Sequence, residues 1–191
     1  YADKSFAVVN GNIGYDYTTE ELRRTAFLRR PIPERKMAAA VDGFRRHLND
    51  VGLYGESASG LTGLFNNANV PQGNAPTGTW GSATPANILK DINTLIQNVW
   101  SNTAYNDQIT DIVIAPSAYA YISGTPRSDN SDKTILQYIK ENNIAKVERN
   151  IDINFTAGYG LDTAGAGGTK RMLGYVKSDL RVVMHVPLPL R

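Results

Sequence analysis

Gly60-Leu61-Thr62-Gly63-Leu64-Phe65-Asn66-Asn67-Ala68-Asn69-Val70-Pro71 is a short glycine-punctuated segment with apolar residues at Leu61, Leu64 and Phe65. It follows directly on a long helical pattern. Met37, Val41, Phe44, Leu48 and Val51 recur at helical spacing and form one narrow stripe, which predicts a helix over 34–52. Arg35 and Arg46 fall opposite that stripe, and Gly52 is suited to the left-handed conformation that ends helices. A narrow seam fits a helix that crosses a core and is not enclosed by one. Upstream, Thr19 is placed to cap a short helix through Leu22. Arg29-Arg30-Pro31-Ile32-Pro33 then interrupts it, because proline lacks the N–H a helix interior needs. Residues 1–19 hold neither a helical nor a strand period, and Asn10-Gly11-Asn12 reads as a turn. An extended arm or long loop is expected there.

Residues 72–84 are rich in Gly, Thr, Ser and Pro, with Trp80 the only large side chain, and predict a surface loop or a domain junction. Thr84-Pro85 is a strong helix start, an N-cap followed by proline at the first helical position. Ile88, Leu89, Ile92, Leu95, Ile96 and Val99 then make a broad apolar face over 85–100 that must be buried against a sheet. Ile112-Val113-Ile114 supplies a buried strand within 109–115, closed by Pro116 and followed by a short helix over 117–122. A further helix is expected over 132–142, capped by Ser131 or Asp132, with Ile135, Leu136 and Ile139 on one face. Residues 145–153 look like a strand. After a Gly-rich loop at 157–168, segments 170–177 and 180–187 read as a hairpin turning near Ser178-Asp179. Helices and strands alternate too irregularly for a βαβ series, so the fold class is α+β.

The 191 residues suffice for one large domain or two small ones. The chain opens on Tyr1 and closes on Val186-Pro187-Leu188-Pro189-Leu190-Arg191, which reads as a piece of a longer polypeptide. No apolar run approaches the length that spans a bilayer, and no membrane partner is expected. With no cysteine, disulfides, thiolate metal sites and cysteine nucleophiles are excluded together. Charge is unevenly placed. Arg23, Arg24, Arg29, Arg30, Arg35, Lys36, Arg45 and Arg46, set against Glu34 and Asp42, leave residues 23–46 at +6 in a chain whose net charge is +2. A chain so divided can attract copies of itself, although a solvated face accounts equally well for the run.

No catalytic constellation is visible, and no catalytic, cofactor-binding or metal-binding residue is assigned. Gly165-Ala166-Gly167-Gly168-Thr169-Lys170 superficially resembles a phosphate loop, but such a loop needs Gly-Lys-Ser/Thr at a helix start. Here Thr precedes Lys and a strand follows. His47 has only Asp50 one helical turn away, too few ligands for a metal, and His185 is expected in a strand, so both read as structural. Ser117 lacks the flanking glycines of a nucleophile elbow. Glu20-Glu21 are adjacent and diverge on a helix. Nucleic-acid binding would rest on the arginines of 23–46, yet beyond Phe27 the only aromatic among them is Phe44, which belongs to the helix stripe.

Three features together resemble the major capsid proteins of tailed phages and prophages, whose fold is shared with encapsulin shells. They are the order of arm, proline-broken basic segment and long amphipathic helix; the phrase 60–71 after that helix; and the later run of helix, buried strand, helix and closing strand. The phrase is similar to the Gly-Leu-Leu-Asn-x-Pro of such proteins, with Phe65 and Ala68 where Leu and Pro are commoner. The resemblance implies the Hong Kong 97-type fold. Residues 1–33 would then be the extended arm and extended loop, 34–84 the peripheral-domain spine helix and junction, and 85–191 the axial domain. A C-terminal peripheral strand would lie beyond this chain. It implies a self-assembling icosahedral shell of hexamers and pentamers, made in the bacterial host cytoplasm and residing in the virion capsid, with a scaffolding protein as a possible partner. Packaged DNA would be enclosed without sequence-specific binding, and no cofactor or enzymatic activity is implied. The rivals are an encapsulin-like compartment and a small-ligand-binding α/β enzyme domain. Three further expectations follow: the helix stripe faces protein, with Phe44→Ala costing ~3–5 kcal/mol where that site is fully buried; the loop 157–168 is dispensable for folding; and the segment 23–46 meets a neighbouring subunit's acidic surface.

Overall fold

A computed structural model describes residues 8, 11–28, 32–178, 180–184 and 186. It divides into two compact units, residues 1–71 with 184–191, and residues 72–183.

The first unit is built on two helices, α1 (Thr19–Leu28) and α2 (Ile32–Tyr54). The helix start precedes the expected cap by one residue. Thr18 Oγ1 accepts from Glu21 N at 3.2 Å while Thr18 N donates to Glu21 Oε2 at 3.1 Å, a reciprocal box that satisfies two end groups together. With that start, α1 runs on to Leu28, past the expected end at Leu22. Pro33 falls in the first turn of α2, where a missing N–H is harmless.

Residues 11–17 lie back along α2. Gly11 is close to Phe44 and His47, Ile13 approaches Gly43, and Lys36 Nζ donates to Asp16 O at 2.7 Å. The arm is therefore irregular, as its composition suggested, but it is seated on the chain's own helix. That covering is thin. Val41, Phe44, Leu48 and Val51 are half-buried, as a stripe that faces protein without being enclosed requires, while Met37 is exposed. Phe44→Ala should accordingly cost about 1–2 kcal/mol in urea denaturation of the intact chain, not the ~3–5 of a fully buried ring. A loss at the larger value would mean that Phe44 is enclosed in solution.

α2 does not stop at Gly52. It reaches Tyr54, and the left-handed residue that follows is Gly55 at φ +74°. The 60–71 segment then finishes the helix. Leu64 N donates to Gly52 O at 3.0 Å and Phe65 N to Leu53 O at 2.9 Å, covering carbonyls that a helix end leaves without partners. Between them, strands β1 (Gly55–Glu56) and β2 (Leu61–Thr62) pair antiparallel around a single 3-10 turn. Asn66 fastens the loop, donating from Nδ2 to Tyr54 O at 2.7 Å and accepting from Gly63 N at 2.6 Å. Phe65 is buried and meets Tyr54 edge-on.

The second unit holds the larger core. α3 (Pro85–Asn102) begins where Thr84-Pro85 predicted, with Thr84 as cap, and buries Ile88, Ile92, Ile96 and Trp100. A three-stranded sheet lies against it, with β3 (Asp111–Ile114) between β4 (Asn154–Ala157), parallel, and β5 (Met172–Tyr175), antiparallel. The strand expected over 109–115 is shorter at both ends, and at the C-terminal one Ala115 is taken as the N-cap of α4 (Pro116–Gly124). α3 and β5 approach closely: a Cβ on Gly174 would lie 3.2 Å from Leu95 and 2.5 Å from Ile109.

Three expectations in this unit are corrected. The helix before 142 is α5 (Ile135–Asn142), capped by neither Ser131 nor Asp132. Those residues belong to a loop closed by Arg127 N to Lys133 O at 2.8 Å, and Thr134 with Gln137 forms the capping box. Residues 145–153 are not a strand. Buried Asn143 accepts from Lys146 N and donates to Ile139 O and Lys140 O, ending α5 and starting α6 (Ile144–Arg149), which Asn150 closes at φ +53°. On that helix Val147 faces solvent while Ala145 is buried. Finally, no strand occurs among the described residues of 180–187. Arg181 N and Val182 N turn back to Ser178 O, and Asp179, His185 and Pro187 lie outside the described residues.

The Gly-rich loop is also more than a spacer. Leu161 is buried, and its carbonyl accepts from Arg171 N at 2.9 Å. Gly158 sits against Val113 and Leu161 so closely that a Cβ would lie 2.7 Å from Leu161 Cδ1. Replacing 158–168 with a Gly-Ser linker should therefore cost about 2–5 kcal/mol, the range for losing a buried leucine. An unchanged thermal midpoint would contradict this placement.

Candidate assembly interface

The residues considered for chemistry are not brought together. His47 is exposed on α2 beside Gly11, and His185 lies outside the described residues. The Ser117 hydroxyl donates to Asp162, whose Oδ1 also accepts the Ser117 N–H at 3.3 Å, so this pair satisfies the first turn of α4. The Gly165–Lys170 stretch closes on itself: Gly165 N donates to Thr169 O at 2.8 Å and Gly168 N to Gly165 O at 3.1 Å. Those amides point at chain carbonyls, where a phosphate loop would leave them open. Among the described residues no group of three or more His, Cys, Asp or Glu is gathered to hold a metal ion, and no helix is long and apolar enough to cross a membrane.

A network the sequence reading did not find lies in the second unit. Asp91 is fully buried on α3 and accepts from Thr77 N at 3.0 Å, Thr77 Oγ1 at 2.6 Å and Trp80 Nε1 at 2.8 Å. It draws the 77–80 stretch down and seats Trp80, whose turn packs against α4. A lone Asp in an apolar helical face was the available signal. A carboxyl group enters a core only with partners.

The surfaces are more informative than any cleft. Of the basic segment, Arg24 pairs with Glu20 at 2.6 Å, Lys36 with Glu21 at 2.7 Å and Arg46 with Asp42 at 2.8 Å. Part of the charge that was expected to reach a neighbour is thus spent inside the same unit. Arg23, Arg35 and Arg45 are exposed and have no ion pair among the described residues, while Arg29 and Arg30 lie outside them.

Lys36 is the hub, donating to both Asp16 O and Glu21 and standing 5.0 Å above the Tyr17 ring. Its hydrogen bond to Glu21, with help from the Thr18 backbone, holds that carboxyl below its ordinary value. A depressed folded-state value means the contribution is present above the ordinary carboxylate range and is lost as pH falls through the folded value. Amide protection factors in α1 should therefore drop selectively on acidification, and Lys36→Met should reduce that pH dependence to the part that the Thr18 backbone bond retains. Equal loss in both proteins would disprove the tether.

Large apolar side chains are also left in solvent. Phe27 on α1 is 88% exposed, Val147 on α6 68%, and Leu180 89%; Val182, Val183, Met184 and Val186 follow at intermediate values.

The family model described as "Major capsid protein" matches residues 3–191. No curated protein matches. Among solved structures, the chain is similar to a chain of the capsid of Myoviridae phage XM1, with a TM-score of 0.63 and 18% identity. The likeness covers 82% of this chain and 52% of that one, so this chain spans about half the length of the capsid protein it matches. The α+β class and the shell-protein fold expected from residues 34–71 and the later elements agree with that likeness.

Proposed function

Because the chain belongs to the major capsid protein family, we propose that it is part of a structural shell protein whose copies close into the icosahedral capsid of a tailed phage or prophage. The observation that supports this most directly is the family match across nearly the whole chain. The physical picture is consistent with it. A shell subunit needs broad contacts, each weak, that add up through repetition around a closed surface. Two compact units with apolar side chains left outward have that character.

In this reading the arm and extended loop occupy 1–33, the spine helix and junction of the peripheral domain 34–84, and the axial domain 85–191. α2, finished by the 60–71 turn, is the spine. Hexamers and pentamers of the same subunit are the principal partners, and a scaffolding protein is a further one. DNA is enclosed without sequence-specific binding, in a virion capsid assembled in the bacterial cytoplasm. The protein has no enzymatic role, and Arg23, Arg35 and Arg45 remain free to meet carboxylates of neighbouring subunits.

The test is expression of the full-length protein, followed by size-exclusion chromatography and electron microscopy. Rings or megadalton shells are expected. A monomer or small oligomer that binds a small ligand through the second unit would overturn the reading in favour of an enzyme domain.

A further inference from the structure

α1 is packed inside out. Its inner side is polar: Glu21 meets Lys36 at 2.7 Å, and the half-buried Thr25 hydroxyl donates to Glu21 O at 2.6 Å. Leu22, Arg23, Ala26 and Phe27, spaced to share one face, are all exposed. Phe27 is 88% exposed and Leu22 50%, and none of the helix's residues is buried. A surface helix ordinarily turns its apolar face inward, and ten residues are too few to hold a helix in water without packing. Such a face is a surface awaiting cover.

Resting on the shell reading above, we infer that the Leu22–Phe27 face of α1 docks on a second copy of this chain. Charge points to that occupant. Arg23 lies within the apolar face and has no ion pair among the described residues. A second copy offers exposed carboxylates at Asp129, Asp132 and Glu148 that have no ion pair among the described residues, and Glu148 follows Val147, itself 68% exposed. α6 thus sets an exposed apolar side chain beside the exposed carboxylate of Glu148, while its Lys146 is paired with Asp152 and its Arg149 lies over the Trp100 ring. Contacts of this kind exclude water at the centre and set register at the rim. A phosphate backbone would engage Arg23 but leave Leu22 and Phe27 uncovered.

The experiment places the photo-crosslinker p-benzoylphenylalanine at position 27 of the full-length protein and maps adducts by mass spectrometry on assembled particles. Beside it, assembly of Phe27→Glu and Phe27→Leu is followed by light scattering, with circular dichroism confirming that each folds. An adduct to another subunit is expected, with the 144–149 peptide foremost. Phe27→Glu should raise the concentration needed for assembly by roughly tenfold or more, as loss of an interface anchor does, while Phe27→Leu stays near wild type. Adducts only within one chain, adducts only to DNA or a scaffold, or normal assembly of Phe27→Glu would each overturn the inference. Normal wild-type shells with any of those results would leave the shell reading standing. Failure of the wild type to assemble at all would remove both.

Discussion

Gly63→Ala should lower the stability of the first unit by about 3 kcal/mol, a large effect for one methyl group, because the new carbon has no free direction. A Cβ at Gly63 would strike Gly55 N and lie 2.5 Å from the Leu53 carbonyl, which is backbone on both sides. Relief would require moving the chain away from α2. That breaks the bonds from Leu64 N and Phe65 N that cover the Gly52 and Leu53 carbonyls, together with the Asn66 brace. Gly60→Ala is the control. Gly60 sits at φ +68° with nothing within 4 Å of a built Cβ, so only the left-handed penalty of ~1–2 kcal/mol applies. Chemical denaturation of the two variants separates steric closure from backbone preference. Equal losses would mean that the turn yields easily and does not lock the end of α2.

In the second unit the largest single loss is expected at Asp91→Ala. Removing the carboxyl strands Thr77 N and Trp80 Nε1 together and leaves Thr77 Oγ1 only its longer bond to Asn87 O at 3.4 Å, in a region where Asp91 itself is fully buried. Roughly 3–5 kcal/mol should be lost, since buried donors without acceptors carry the full desolvation penalty. Asp91→Asn retains one acceptor oxygen and should fall between. The specific signature is Trp80, which ought to become more solvent-exposed as the 77–80 stretch lifts, so indole emission should shift to the red before global unfolding. Loss of stability with unchanged Trp80 emission would place the effect in α3 packing alone.

These two sites show how unevenly the fold could be read. The start of α3 was legible because Thr84-Pro85 is a local device, and the strand at Ile112-Val113-Ile114 because three β-branched residues in a row are hard to place elsewhere. The 60–71 phrase was recognisable as a pattern while its work was not. That Gly63 must be glycine depends on Leu53 and Gly55 returning to it, a fact of three dimensions. Residues 145–153 failed for the opposite reason. Asn143 and Asn150 are caps, and a cap outranks a short strand-like stretch when its hydrogen bonds close.

The candidate interface was legible only in outline. Arg23, Arg24, Arg35, Lys36 and Arg46 are visible as a basic run, but which of them are already paired depends on Glu20, Glu21 and Asp42 lying at hand. Phe27 could be read equally as core or surface, because a ten-residue helix with apolar residues does not announce which side its own unit will take.

By itself the sequence determined the local matters: the start and cap of α3, the buried strand, the absence of cysteine chemistry and the class of the fold. Each depends on side chains acting on backbone within a few residues. Tertiary structure alone decided which glycines are obligatory, where Asp91 finds its donors, which arginines are neutralised and which face of α1 remains uncovered. Those depend on contacts between distant residues, such as Asp91 with Thr77 and Lys36 with Asp16. Their energies exist only once the chain has returned to meet itself.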